Sequence, residues 1–232
     1  MKSAKDKIEE LRDKLHKHNY FYYIKDRPII SDYDFDLKLK ELINLENQFP
    51  QYYDVNSPTQ RVGGNIVKFF NSVKHQFPMY SLDNSYSKED LILWTDRLHK
   101  NLNSKQINYL CELKFDGVSI NLTYENGFLS KAVTRGDGVQ GDDVTENIKT
   151  IKTIPLKLNG KNYPKSFQIR GEIIIGKKDF KTLNKNRSEI GLDNYMNPRN
   201  TASGSLKLQD STEAAKRPLK CFLYQIVSKE NI

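Results

Sequence analysis

From Tyr109 to Thr134 apolar and polar side chains alternate with a period of two, interrupted by two turn dipeptides. Tyr109, Cys111, Leu113 and Phe115 alternate with Leu110, Glu112, Lys114 and Asp116; after Asp116-Gly117 come Val118, Ile120, Leu122 and Tyr124; after Asn126-Gly127 a third run goes from Phe128 to Thr134. A strand half-buried on one face needs this pattern, and turns this short force consecutive strands to run antiparallel. The expectation is an antiparallel meander whose first strand, 109–116, carries Glu112, Lys114 and Asp116 on one face and Cys111, Leu113 and Phe115 on the core side. Phe167, Ile169, Ile173 and Ile175, with Gly171 between, predict another strand, with Arg170 and Glu172 sharing its opposite face. The last apolar run is Cys221 to Val227.

Helical periodicity dominates the N-terminal part. Ile8, Leu11, Leu15 and Tyr22 predict an amphipathic helix over 4–22, which Asp26-Arg27-Pro28 breaks. Ser31 reads as an N-cap with Asp34 as its capping partner, opening a second helix striped by Phe35, Leu39, Leu42 and Leu45 and ending before Pro50. Together these make a helical hairpin. Residues 52–65 read as a connecting loop, and a boundary near residue 70 divides a helical subdomain, 1–69, from a second domain, 70–232. Helices are expected at 142–152 and 177–187, and a loop at 195–206. Strands and helices mixed without βαβ regularity predict the α+β class.

Composition narrows the function classes. Of 232 residues, 37 are Lys or Arg and 29 Asp or Glu, a net charge of +8 that favours a polyanionic partner. No apolar run approaches the roughly 20 residues of a membrane helix, and the charged start lacks a signal peptide's apolar stretch. A cytoplasmic location is therefore expected. Two cysteines, Cys111 and Cys221, form neither a disulfide framework nor a zinc site unaided, and both are expected to be buried thiols.

Four segments gather chemistry: Glu112–Gly117, Thr134-Arg135-Gly136-Asp137-Gly138, Arg170-Gly171-Glu172, and Asn197-Pro198-Arg199-Asn200 running on to Leu206. Glycines permit close backbone approach, and Arg199 offers a planar fork suited to phosphate. With Tyr22-Tyr23, Pro28, Asp32 and Asp36, with Ser57-Pro58-Thr59-Gln60-Arg61-Val62-Gly63-Gly64, and with Ser81-Leu82-Asp83-Asn84, these segments resemble, in order, the N-terminal part of bacterial NAD-dependent DNA ligases.

That resemblance implies an N-terminal helical hairpin followed by a mainly antiparallel nucleotidyltransferase (adenylation) domain, incomplete at its C-terminus. It implies Lys114 as the nucleophile that takes AMP from NAD and releases nicotinamide mononucleotide, with Asp116 beside it as a catalytic group. AMP would then pass to a 5′-phosphate and a nick be sealed. Glu112, Asp116 and Glu172 would hold adenosine or magnesium (with manganese as a substitute), magnesium lying near Glu172. Arg135 would contact ribose and phosphate, Ser81 and Leu82 would line the adenine pocket, and Arg199 and Lys207 would bind DNA. Tyr22, Tyr23, Asp32, Phe35 and Asp36 would receive the nicotinamide half, since aromatic faces beside carboxylates suit a flat cation. Tyr23, Phe35 and Lys207 depart from the His, Tyr and Arg common there. Zinc would belong only to family regions beyond these residues. Nicked double-stranded DNA and NAD are the implied partners, with no membrane, a monomer, and nucleoid-associated use in DNA replication and repair; the fragment alone is expected not to ligate. The alternative readings are an ATP-dependent nucleotidyltransferase of RNA-ligase or capping type, which would keep Lys114 and make the hairpin irrelevant, and a non-catalytic nucleic-acid-binding remnant whose motifs survive by descent.

The amine chemistry poses one difficulty. A lysine attacks only when deprotonated, so burial or positive neighbours must prepare it. Glu112 and Asp116 on the same face work against this, and the expected offset comes from Arg135 and magnesium.

Overall fold

The computed structural model describes residues 3–21, 25, 29–61, 69–102, 106–160 and 162–228, without the side chain of Asp32. Tyr22, Tyr23 and Pro28 lie outside the described residues.

Helix α1 (Ala4–Asn19) opens on a reciprocal cap: the Ser3 hydroxyl accepts from the Asp6 N–H, and the Asp6 carboxylate accepts from the Ser3 N–H, each at 3.1 Å. Ser31 caps α2 (Asp32–Gln48) by accepting from the Asp34 N–H and donating to its carboxylate. Ile8, Leu11 and Leu15 of α1 bury against Leu42 of α2, with Phe35, Leu39, Leu45, Phe49 and Tyr52 packed around them. The expected helical hairpin is present. Arg12 fixes its far end, donating to the Glu46 carboxylate at 2.8 Å and to the Tyr52 carbonyl at 2.6 Å.

The second part is built on a four-stranded antiparallel sheet. Strand β1 (Ser72–Lys74) pairs outside it with β4 (Gln140–Asp142), and the main sheet has the order β3-β2-β5-β6, with β2 Val118–Glu125, β3 Phe128–Thr134, β5 Ser166–Ile175 and β6 Leu219–Val227. Asn126 and Gly127 turn β2 into β3 with φ of 50° and 82°, the positive values a two-residue hairpin demands. Ile120, Leu122, Tyr124, Ile173 and Ile175 face a core closed by Ile148 of α4 (Thr145–Lys149) and by Ala202 and Leu206 of α6 (Pro198–Leu206). Helices α3 (Lys88–Leu102), α5 (Lys177–Glu189) and α7 (Ser211–Ala215) complete the fold, which is α+β as the sequence implies.

Arg61, 8 % exposed, couples the two parts: its guanidinium donates to the carbonyls of Lys149, Ile151 and Ile154, the last at 2.9 Å. Lys157 adds an ion pair with Asp13 of α1.

Several expectations change. Residues 109–116 form no strand, and Asp116-Gly117 closes no hairpin. The alternation is real, but a strand also needs a neighbour for its backbone hydrogen bonds. β2 already has β3 and β5 on its two sides, and among the described residues no strand flanks 109–116. Leu113, expected in the core, is 83 % exposed, and Cys111 is an exposed thiol; Cys221 is half-buried, and burial pushes its thiol up to about 12. The stretch 195–206, expected as loop, contains α6. Its composition hides the helix, but Asn197 caps it by accepting from the Asn200 N–H, Pro198 fits the first turn, and Thr201, Ala202, Ser205 and Leu206 are buried. The expected helix at 142–152 shrinks to the five residues of α4.

Candidate active site

The site starts from strand register. Ser119 of β2 stands opposite Glu172 of β5, on the face away from the core. The Gly117 N–H donates to the Glu172 carboxylate at 3.2 Å. Only glycine allows this approach, because a Cβ at 117 would lie 2.1 Å from the Ile173 carbonyl oxygen. Burial raises the Glu172 pKa, opposed by hydrogen bonds from Ser119 and Gly117 and by the charges of Lys114 and Arg199. Two cations therefore face one half-buried carboxylate.

Asp116 points to the same place. Arg199, the second residue of α6, donates to its carboxylate at 2.9 Å. Both side chains are exposed, so the pair contributes little to stability. Its interest is electrostatic: the guanidinium offsets a carboxylate two residues from Lys114, the role assigned from sequence to Arg135 and magnesium. Lys114 itself is exposed, as is Glu112.

Arg135 is half-buried beside this cluster. Its N–H donates to the Ser119 carbonyl, and its own carbonyl lies 3.1 Å from Nε2 of buried His75. The turn continues to Gly138, whose carbonyl accepts from the Met79 N–H, two residues before Ser81. Arg170 fastens the same segment by donating to the carbonyls of Phe77 and Pro78. Ser81 and Leu82 are thus hung next to the site, but both are exposed and enclose no pocket. Lys207, expected to face DNA, instead pairs with Asp142 at 2.6 Å.

The nicotinamide set belongs to the helical part. Phe35 is half-buried and packs into the hairpin core, a structural use of its ring, while Asp36 is exposed. Tyr22, Tyr23 and the Asp32 side chain are outside the described residues.

Sequence reasoning missed two features. Phe115 stacks flat on Phe222 of β6, ring centres 4.1 Å apart and planes 3° from parallel, and Phe222 is the register partner of Glu172. Beside it the Tyr224 hydroxyl lies 3.3 Å from that of Ser119. The alternation of Phe222 with Cys221 in the last apolar run was the available signal.

Residues 67–232 match the NAD-dependent DNA ligase adenylation domain. The chain belongs to this family. Residues 1–63 match the DNA ligase-like N-terminal NAD+-binding domain. Among curated relatives, a DNA ligase of Flavobacterium psychrophilum is 61 % identical over 221 residues, covering 95 % of this chain and 33 % of the relative. One from Flavobacterium johnsoniae is 59 % identical, covering 97 % of this chain and 33 % of its own length, and one from Petrotoga mobilis 46 %, covering 99 % and 34 %. The chain of this ligase family thus spans about a third of the length of the curated relatives it matches.

Proposed function

We propose that this chain supplies NAD recognition and the adenylation step of a DNA ligase that seals nicks in duplex DNA. The observation that carries the reading is that the Lys114 and Arg199 charges act on the Glu172 carboxylate while Asp116 holds Arg199, in a chain that belongs to the adenylation-domain family. The likeness of residues 1–63 to an NAD+-binding domain favours NAD over ATP as the donor.

In this reading the deprotonated Lys114 amine attacks the α-phosphorus of NAD. A nitrogen–phosphorus bond forms, the phosphoanhydride bond breaks, nicotinamide mononucleotide leaves, and the amine's proton passes to solvent. Arg199 prepares the step by countering Asp116, and a bound dinucleotide covers the exposed amine and withdraws it from water. AMP then passes to a 5′-phosphate, and a 3′-hydroxyl displaces it. The Phe115–Phe222 stack offers an apolar face next to Glu172 for the adenosine half.

Magnesium fits this donor set only with help from the substrate. Among the described residues no three His, Cys, Asp or Glu side chains gather into a metal site. Magnesium ordinarily takes one or two carboxylates and fills its remaining positions with phosphate and water. Glu172 is the carboxylate placed for that, and the ion would neutralise charge on the reacting phosphates.

Intact-mass spectrometry after incubation with NAD and magnesium tests the assignment. One added AMP is expected on the wild-type chain and none on Lys114→Arg. An adduct that persists on that variant overturns the role of Lys114.

A further inference from the structure

Helix α5 carries four exposed lysines, Lys177, Lys178, Lys181 and Lys185. At about 100° per residue they share an arc of about 100°. The half-buried Phe180, Leu183 and Arg187 lie on the opposite side.

A basic helix face is ordinarily just a solvated surface, and α1 shows that ordinary case. There Lys7 pairs with Glu41 at 2.9 Å and Lys14 with Glu10 at 2.7 Å, while Lys5 lies 3.8 Å from Glu9. On α5 the matching is missing: among the described residues Lys177, Lys178 and Lys181 have no carboxylate within ion-pair distance, and Lys185 reaches Glu189 only at 3.8 Å. The wider segment is also unbalanced. From Lys177 to Lys220 there are ten Lys and Arg against five Asp and Glu, which places five of the chain's eight excess positive charges there.

The location gives this charge a use. β5 delivers Glu172 to the site, Val118 pairs with Ile173, and α5 begins two residues after β5 ends. Lys220 of β6 ties down the first turn of α5 through Asp179 at 2.8 Å. The lysine face therefore begins at the end of the sheet where Lys114 and Asp116 precede β2. Thirteen helical residues extend about 20 Å, the length of about six base pairs of duplex at 3.4 Å each.

We propose that this face of α5 binds the phosphate backbone of duplex DNA flanking the nick, without reading its sequence. The inference rests on the ligase reading and adds a surface to it, in the place where paired Lys207 had been expected to serve. Lysine suits this task as a mobile point charge on phosphate.

Fluorescence anisotropy of a labelled nicked duplex, without NAD, measured between 50 and 200 mM salt on the order of usual practice, provides the test. Three variants accompany the wild-type chain: Lys177, Lys178, Lys181 and Lys185 all changed to Gln; the same four changed to Arg; and a control with α1 residues Lys5, Lys7, Lys14 and Lys17 changed to Gln. The α5 Gln variant should lose at least about 30-fold in affinity, and the slope of log affinity against log salt should fall by about 3. The Arg variant and the α1 control should stay within about threefold of wild type. Equal losses in the α5 and α1 Gln variants, or no loss in either, overturn the inference, as does tighter binding to anionic vesicles than to duplex. AMP adduct formation, measured on the same preparations without DNA, separates the two readings. An adduct with α5-independent DNA binding removes only the lysine face, whereas absence of adduct with α5-dependent binding removes only the ligase chemistry.

Discussion

Acid should loosen the seat of the helical part on the adenylation part, and His16 is the group through which it acts. Burial lowers the His16 pKa from an ordinary 6.5 to about 4, helped by the Arg61 and Lys157 charges and opposed by Asp13 and Asp54. Arg61 and Lys157 are also the residues that bridge the two parts. The folded chain thus keeps His16 neutral at a pH where the unfolded chain protonates it. Between about pH 6.5 and 4 the unfolded state binds one more proton than the folded state, so stability falls as pH falls through that window and is fully present above it. At 1.36 kcal/mol per pKa unit the ceiling is about 3 kcal/mol. Urea denaturation at pH 7.5 and pH 4.5 on the order of buffered practice, for wild type and His16→Gln, isolates the histidine from carboxylates that titrate in both. The wild-type chain should lose about 2–3 kcal/mol more than the variant. Identical pH dependence in the two proteins, or an imidazole NMR titration centred near an unperturbed value, refutes the reasoning.

Two further outcomes follow from the geometry. Gly117→Ala would drive a Cβ into the Ile173 carbonyl at 2.1 Å, which should cost about 2–4 kcal/mol and lower Tm by at least about 5 °C; an unchanged melting curve would show that β2 and β5 do not approach as described. Among the described residues β6 has a strand neighbour on one side only, and its Phe222, Leu223, Tyr224 and Ile226 are exposed, a surface that invites strand pairing between copies. Ile226→Lys should reduce self-association in light scattering at high concentration while costing less than about 1 kcal/mol, and greater association would contradict the edge argument.

Local pattern carried much of the fold. The capping residue Ser31, the spacing of Ile8, Leu11 and Leu15, and the Asn126-Gly127 turn each act within a few residues, and each element they predict is there. Failures came where a neighbour had to be supplied from afar. The alternation at 109–116 is as regular as that of β2, yet of these two segments only β2 is flanked by strands among the described residues. The small polar residues after Asn197 conceal α6, which forms because Ala202 and Leu206 find a sheet to bury against. The candidate site shows the same division. Lys114, Asp116, Glu172 and Arg199 were legible as residue types in a recognisable order. The Asp116–Arg199 pair spans 83 positions, and the contact between Phe115 and Phe222 joins two segments that no periodicity links.

By itself, then, the sequence determined the helical hairpin, the β2–β3 turn, the alternating strands β2, β3 and β5 and the set of charged groups, because these follow from backbone preference and spacing within one or two turns of chain. Tertiary structure alone decided that Arg61 is buried against the carbonyls after α4, that Lys207 is occupied by Asp142 while Lys177, Lys178 and Lys181 of α5 have no carboxylate partner among the described residues, and that Lys114 stands in solvent near a half-buried Glu172. Burial and charge pairing depend on which distant segments the sheet order brings together, and that order is a property of the whole packed chain.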